Sequence, residues 1–99
     1  MDKRRILVIE DEYSINDGLT FTLRKEGYDV RSALTGKEGL ELVKEFNPEL
    51  VLLDLMLPDM DGFDIIKKTR EWSSLPIIVV KRNGSRQSFD RNKILNSMI

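Results

Sequence analysis

The first eighty residues alternate short apolar runs with segments of helical spacing. Nearly continuous apolar runs occur in "RRILVIE", "ELVLLDLML" and "LPIIVV", and "YDVRSA" alternates like a strand with one covered face. Continuous runs of this length are typical of strands that are buried on both faces of a sheet. The pattern therefore predicts four β-strands, of which the second lies near an edge.

Three helices are predicted between these strands. The first has Ser14 as its N-cap and Gly27 just after its C-terminus, and its buried stripe contains Ile15, Leu19, Thr22 and Leu23. The second begins after Thr35, which has capping-box spacing to Glu38, and it stops before Pro48. The third is "FDIIKKTREW". Repeated strand–helix–strand units predict an α/β fold, in which helices cover both faces of a parallel sheet.

The last nineteen residues depart from this alternation. Asn83 and Gly84 form a strong hairpin signal because both tolerate positive φ, so residues 85–89 are predicted to pair antiparallel with the end of the fourth strand. Asp90 then caps a helix that ends the chain. We expect one domain, with a βα frame at residues 1–80 and a hairpin strand and helix at residues 81–99.

Composition excludes several kinds of site. The chain has no cysteine and no histidine, so disulfides, thiolate metal sites, an imidazole base and a phosphohistidine of its own are all excluded. The apolar run from Ile6 to Ile9 is too short for a signal peptide, and no run approaches a membrane span. We therefore expect a cytoplasmic protein with no membrane partner.

Charge is distributed unevenly along the chain. Residues 1–80 contain 11 basic and 16 acidic residues, whereas residues 81–99 contain 5 basic residues and 1 acidic residue. A basic segment can bind nucleic acid, but five basic residues on a hairpin and a helix are more often a solvated face. A nucleic-acid partner is therefore not expected.

Three acids lie at the predicted ends of two strands. Glu10 and Asp11 end the first strand, and Asp54 ends the third, in an apolar run where an unpaired charge is costly. If these strands are neighbours, their carboxyl ends bring the three carboxylates into one crevice, which favours Mg²⁺ or Mn²⁺. Asp54 is then a candidate nucleophile toward a phosphoryl group. The alternative is a strand-end carboxylate that only accepts backbone N–H groups.

The motifs "ILVIEDE", "PELVLLDLMLPDMDGFDII" and "LPIIVV", in this order and spacing, resemble the receiver domain of bacterial two-component response regulators over residues 3–80. The resemblance implies a flavodoxin-like, doubly wound parallel sheet of strand order 2-1-3-4. It implies that Asp54 is the phosphoacceptor, that Glu10, Asp11 and Asp54 bind Mg²⁺, and that Met56 adds a backbone carbonyl. The phosphoryl donor would be a sensor histidine kinase.

The same resemblance implies that the loop from Pro58 to Gly62 shapes the rim of the site. It also identifies a departure, because the fourth strand of the family ends in Thr or Ser and Lys81 stands at that position. The later Lys-Pro of the family is not recognisable in this chain. We therefore expect impaired phosphorylation. We also expect no enzyme activity beyond phosphorylation and dephosphorylation of the domain itself.

The segment "VVKRNGSRQSFDRNKILNSMI" resembles the start of an ATP-cone domain, the nucleotide-sensing module of ribonucleotide reductases and their repressor. This second resemblance implies that Lys81, Arg82 and Lys93 lie near nucleotide phosphates. The rest of that helical module has no counterpart here, so ATP binding is not expected. The junction indicates a chimera, natural or engineered, and an exposed edge strand or a swapped C-terminal segment favours a homodimer.

Three functional hypotheses follow from these patterns. The leading one is a receiver-like phosphoacceptor module that depends on Mg²⁺ and is impaired. The first alternative is a chimeric α/β scaffold with no signalling activity. The second alternative is a nucleotide-binding fragment.

Overall fold

The computed structural model describes residues 3–80 of the 99-residue chain. Its strands are β1 (Arg5–Ile9), β2 (Asp29–Ala33), β3 (Leu50–Asp54) and β4 (Ile77–Val80). Its helices are α1 (Tyr13–Lys25), α2 (Gly36–Phe46) and α3 (Gly62–Trp72). The predicted hairpin at Asn83 and Gly84, the strand at residues 85–89 and the terminal helix lie outside the described residues.

The four strands form one parallel sheet in the order β2-β1-β3-β4. The predicted doubly wound α/β fold and its strand order are therefore confirmed. Ile9, the last residue of the central strand β1, is opposite Ala33 of β2 and Leu53 of β3. This register brings the residues that follow β1 and the end of β3 to the same edge of the sheet.

Helices cover the sheet on both faces. The larger core lies between the sheet and helices α2 and α3, and it includes Leu7, Ile9, Leu53, Ile65 and Val79. The smaller core lies under α1, where Ile6, Val8 and Val30 pack against partly buried leucines. Because β1 contributes buried side chains to both cores, its sequence is apolar without alternation.

Helix α1 begins earlier than the sequence indicated. Its N-cap is Glu12, which has extended backbone and no side-chain cap hydrogen bond, so Ser14 lies inside the first turn and its predicted capping role is wrong. The predicted stripe is also wrong at Thr22, which is exposed, because Asn16 and Thr20 are the residues of α1 that are fully buried. A hydrophobicity pattern misses these two because hydrogen bonds, rather than apolar character, account for their burial.

Two other predicted helix ends are confirmed. Gly27 has φ of +99° and follows the C-cap of α1, where its N–H donates to Arg24 O and the N–H of Tyr28 donates to Leu23 O. This pair of bonds is a Schellman motif, which favours glycine at the left-handed position. At the start of α2, the hydroxyl oxygen of Thr35 accepts the N–H of Glu38 at 3.2 Å.

Thr69 is a buried polar residue of α3. It is 1% exposed, and within residues 3–80 its hydroxyl has no hydrogen-bond partner. An unsatisfied buried polar group costs about 1–3 kcal/mol, so Thr69→Val is expected to raise the free energy of unfolding by about 1 kcal/mol. Chemical denaturation measures this change. The control is Thr20→Val, which loses the bond from Thr20 Oγ1 to Asn16 Oδ1 (3.4 Å) and is expected to destabilise the fold.

Asp59 makes the stability depend on pH. Its carboxylate accepts the backbone N–H groups of Gly36 and Lys37, and these bonds lower its pKa from the ordinary 3.8. The stabilisation is therefore complete above the unfolded-state pKa and is lost as the pH falls through the lower folded-state value. Urea denaturation between about pH 5 and pH 2 should show a shallower loss of stability for Asp59→Asn than for the wild type. Equal slopes would contradict this assignment.

Candidate functional site

Glu10 follows β1 and is 3% exposed. Its backbone N–H donates to Ala33 O at 3.0 Å and so continues the pairing of β1 with β2 by one residue. Its carboxylate atom Oε2 accepts the N–H of Glu12 at 3.1 Å. These two bonds hold the backbone and the side chain of Glu10 between the end of the sheet and the start of α1.

Asp54 is the last residue of β3 and is 2% exposed. It is opposite Val80, the last residue of β4, and its Oδ1 accepts the N–H of Met56 at 3.0 Å. The backbone bond fixes one oxygen of the carboxylate at the carboxyl end of the sheet. A carboxylate that accepts a backbone N–H bond is stabilised in its charged form.

The carboxylates of Glu10, Asp11 and Asp54 come together at this edge, with one oxygen from each lying within 4.8 Å of the others. Glu10 and Asp54 are buried, and Asp11 is the member nearest to solvent. Three negative charges at this spacing repel one another unless cationic groups or a metal ion compensate them.

The donor set fits a hard divalent cation. Mg²⁺ binds oxygen at about 2.0–2.1 Å in an octahedron, so ligand oxygens around it are about 2.9 Å apart when adjacent and about 4.1 Å apart when opposite. The three carboxylate oxygens lie within 4.8 Å of one another, which is close enough for one such cation to bind all three after the side chains move together. All three donors are carboxylates, which suit Mg²⁺ and Mn²⁺ better than softer metals.

The loop from Leu55 to Asp61, called the rim loop, directly follows Asp54. Met56, whose side chain is 60% exposed, forms an isolated bridge with Asp61, and the N–H of Gly62 donates to Leu55 O at 3.1 Å. A Cβ atom at Gly62 would lie 2.6 Å from the Cα of Leu55, so this close approach requires glycine. The loop is thus closed at both ends next to Asp54.

Asn16 is a residue of the site that sequence reasoning missed. Its side-chain Nδ2 donates to Glu10 O at 2.9 Å and to Ala33 O at 3.1 Å, and its Oδ1 accepts the hydroxyl of Thr20. The buried amide therefore joins the ends of β1 and β2 to α1, directly behind Glu10. The available signal was its helical spacing to the apolar positions Leu19 and Leu23.

Asp59 is a second missed residue. Its Oδ1 accepts the N–H of Gly36 at 2.8 Å, and its Oδ2 accepts the N–H of Lys37 at 2.9 Å. These partners are more than twenty positions away in sequence. No local pattern marks such a pair, because it forms only when α2 and the rim loop pack side by side.

Some predicted residues are outside the part of the chain that the structure describes. Lys81, Arg82 and Lys93 belong to the undescribed residues 81–99, so the ATP-cone-like phosphate contacts stay a prediction. Among residues 3–80, none of the helices has the length and apolar character needed to span a bilayer.

Comparison with known proteins agrees with the fold. The family model described as response regulator receiver domain matches residues 6–97. A CheY-like receiver domain protein from Methanospirillum hungatei is similar, with a TM-score of 0.80 and 32% identity over 86% of this chain and 69% of its own. Chemotaxis protein CheY4 from Vibrio cholerae has a TM-score of 0.79 and 26% identity over 86% of this chain and 73% of its own.

The receiver domain of RstA from Klebsiella pneumoniae, described as BeF3-activated, is also similar. Its TM-score is 0.76 at 29% identity, and the match covers 93% of this chain and 75% of that one. The family match thus includes most of the chain, and the similar structures share its sheet and helices. The chain belongs to the response regulator receiver domain family, and it is a receiver domain of two-component signalling.

Proposed function

We propose that this receiver domain accepts a phosphoryl group on Asp54 from a sensor histidine kinase. In this proposal Glu10, Asp11 and Asp54 hold Mg²⁺, or Mn²⁺ in its place, and the backbone carbonyl of Met56 is a further ligand. The observation that carries the proposal is the set of three carboxylate oxygens within 4.8 Å of one another. The cytoplasmic location expected from the sequence stays a prediction.

The proposed transfer replaces one bond to phosphorus by another. A carboxylate oxygen of Asp54 forms a bond to phosphorus while the bond between phosphorus and the imidazole nitrogen of the donor breaks, and that nitrogen takes up a proton. A bound Mg²⁺ supplies positive charge to the oxygens of the transferred group. The Met56 N–H orients Asp54 by holding Oδ1, and the burial of Asp54 limits the access of water to the acyl phosphate.

We also propose that this reaction is impaired in comparison with receivers that have a hydroxyl after the fourth strand. β4 ends at Val80, and Lys81 follows directly in the sequence where the family has Thr or Ser. A lysine cannot make the short hydroxyl contact to a phosphoryl group. This departure supports the alternative of a receiver-fold scaffold that binds Mg²⁺ without signalling.

Beryllium fluoride distinguishes a phosphoacceptor domain from a scaffold without signalling activity, because it imitates the phosphoryl group without phosphoryl transfer. A phosphoacceptor domain should show chemical-shift changes in β3, β4 and the rim loop when beryllium fluoride and Mg²⁺ are added. A scaffold should show changes from Mg²⁺ alone and none beyond them. The nucleotide-binding fragment and the homodimer stay predictions, to be tested by calorimetric titration with ATP and by sedimentation.

Asp54→Asn tests the phosphoacceptor directly. After incubation of the 99-residue chain with Mg²⁺ and acetyl phosphate, intact-mass measurement should find one added phosphoryl group in the wild type and none in Asp54→Asn. Asp64→Asn is the control, because it removes an exposed carboxylate from the first turn of α3 and should leave the adduct in place. A wild-type chain with no adduct, or an adduct that persists in Asp54→Asn, would contradict the proposed function.

Asp11→Asn tests the metal ligands separately. The substitution removes one of three anionic donors, and metal affinity depends strongly on the charge of the ligands, so the Mg²⁺ dissociation constant should rise by about tenfold or more. The measurement is a Mg²⁺ titration followed by backbone amide chemical shifts. Glu12→Gln is the matched control, since it neutralises the next acid in the sequence, which is not a member of the cluster. Equal effects of the two variants would contradict the ligand assignment.

A further inference from the structure

Asp59 connects the rim loop to a helix that contributes no carboxylate to the acidic cluster. Each oxygen of its side chain accepts one backbone N–H, from Gly36 at 2.8 Å and from Lys37 at 2.9 Å. These N–H groups belong to the first two residues of α2, which have no partner within the helix. Asp59 therefore supplies the cap of α2 from a different part of the chain.

Packing beside these bonds is close. A Cβ atom at Gly36 would lie 2.6 Å from Sδ of Met60 and 3.0 Å from Cδ1 of Ile65, so the side chain that follows Asp59 rests on the backbone of the first residue of α2. The rim loop and the start of α2 are thus held by two hydrogen bonds and an apolar contact. Separating the loop from α2 would break these contacts.

The same loop contains the residue that orients Asp54. The N–H of Met56 donates to Asp54 Oδ1, and the bridge between Met56 and Asp61 spans the position of Asp59. The bond from the N–H of Gly62 to Leu55 O closes the loop. The bridge and this bond therefore connect the anchor of Asp59 on α2 to the part of the loop that places Met56 beside Asp54.

We infer that Asp59 is a positioning residue of the metal and phosphoacceptor site, which holds the loop of Met56 in place by binding the N-terminus of α2. Asp59 itself contacts neither the acidic cluster nor a transferred group, and it acts through the loop. The inference rests on the proposed function for its role in metal binding and phosphorylation. The link between Asp59 and the loop does not depend on the proposed function, because it follows from the hydrogen bonds and the bridge described above.

A second cap at the same helix end provides a matched control. Thr35 Oγ1 accepts the N–H of Glu38 at 3.2 Å, and Glu38 Oε1 accepts the N–H of Leu34 at 3.0 Å. These bonds stabilise α2 from within its own first turn and do not include the rim loop. Removing Thr35 or Asp59 weakens the same helix end, but only the loss of Asp59 releases the loop.

The experiment compares Asp59→Ala with Thr35→Ala in the 99-residue chain. Both are expected to lower the midpoint of urea denaturation, because each removes a cap. The Mg²⁺ dissociation constant should rise about tenfold in Asp59→Ala, which is the lower end of the range for residues that orient metal ligands, and by less than about twofold in Thr35→Ala. Asp59→Asn, whose amide oxygen can accept one of the two N–H groups, should give an intermediate value.

Amide hydrogen exchange provides a readout that needs no metal. Without Mg²⁺, the amides of Met56 and Gly62 should exchange at least about threefold faster in Asp59→Ala than in Thr35→Ala, because their bonds belong to the released loop. Equal exchange rates at these amides in the two variants would overturn the mechanical link. If Asp59→Ala and Thr35→Ala lose Mg²⁺ affinity equally, the positioning role is overturned, and Asp59 acts only as a helix cap.

Failure of the proposed function would be recognised separately. If the wild type binds Mg²⁺ but forms no acyl phosphate, the phosphoacceptor proposal is wrong, and the Mg²⁺ comparison still tests Asp59. If the wild type binds no Mg²⁺, the positioning role for the metal is overturned together with the proposed function. The exchange rates of the Met56 and Gly62 amides then still decide whether Asp59 holds the loop.

Discussion

The parallel pairing of β1 with β3 is the constraint on which the site depends. Ile9 lies opposite Leu53 and both are fully buried, so the residues that follow them must emerge at the same edge of the sheet. Parallel strands direct their carboxyl ends to one edge, and side chains from chain positions more than forty residues apart meet there. A slip of this register by one residue would exchange the two faces of a strand and separate Asp54 from Glu10.

Placing charge at this edge has an energetic cost that the neighbouring backbone reduces. Glu10 and Asp54 are almost fully buried, and each carboxylate accepts a backbone N–H from the residue two positions later, Glu12 and Met56 respectively. Each bond gives the carboxylate a donor in place of the water that burial removes. The arrangement brings three carboxylate groups together at a position where a bound cation would lower their mutual repulsion, which is the physical basis of the proposed metal site.

The strand ends are supported by tertiary contacts of two kinds. Asn16 supports Glu10 from behind by binding the last carbonyls of two strands, and Asp59 supports the loop after Asp54 by binding the start of α2. Both residues are polar. Asn16 lies outside the motifs that made the family recognisable, and Asp59 lies within one of them, but the motif did not indicate its contact with α2. The site therefore includes more residues than its three carboxylates, because the elements that position the carboxylates contribute hydrogen bonds of their own.

The alternation of strands and helices, the parallel sheet, the helix ends at Thr35 and Gly27 and the acids at strand ends could all be predicted from the amino-acid sequence. Each of these follows from local periodicity, from turn chemistry or from motif spacing. The sequence did not reveal that Glu12 starts α1, that Asn16 is buried or that Asp59 caps α2. Glu12 was missed because it makes no side-chain cap bond that a sequence pattern would predict. Asn16 and Asp59 were missed because their hydrogen bonds join distant segments, which have no periodic signal and meet only after the sheet and helices have packed.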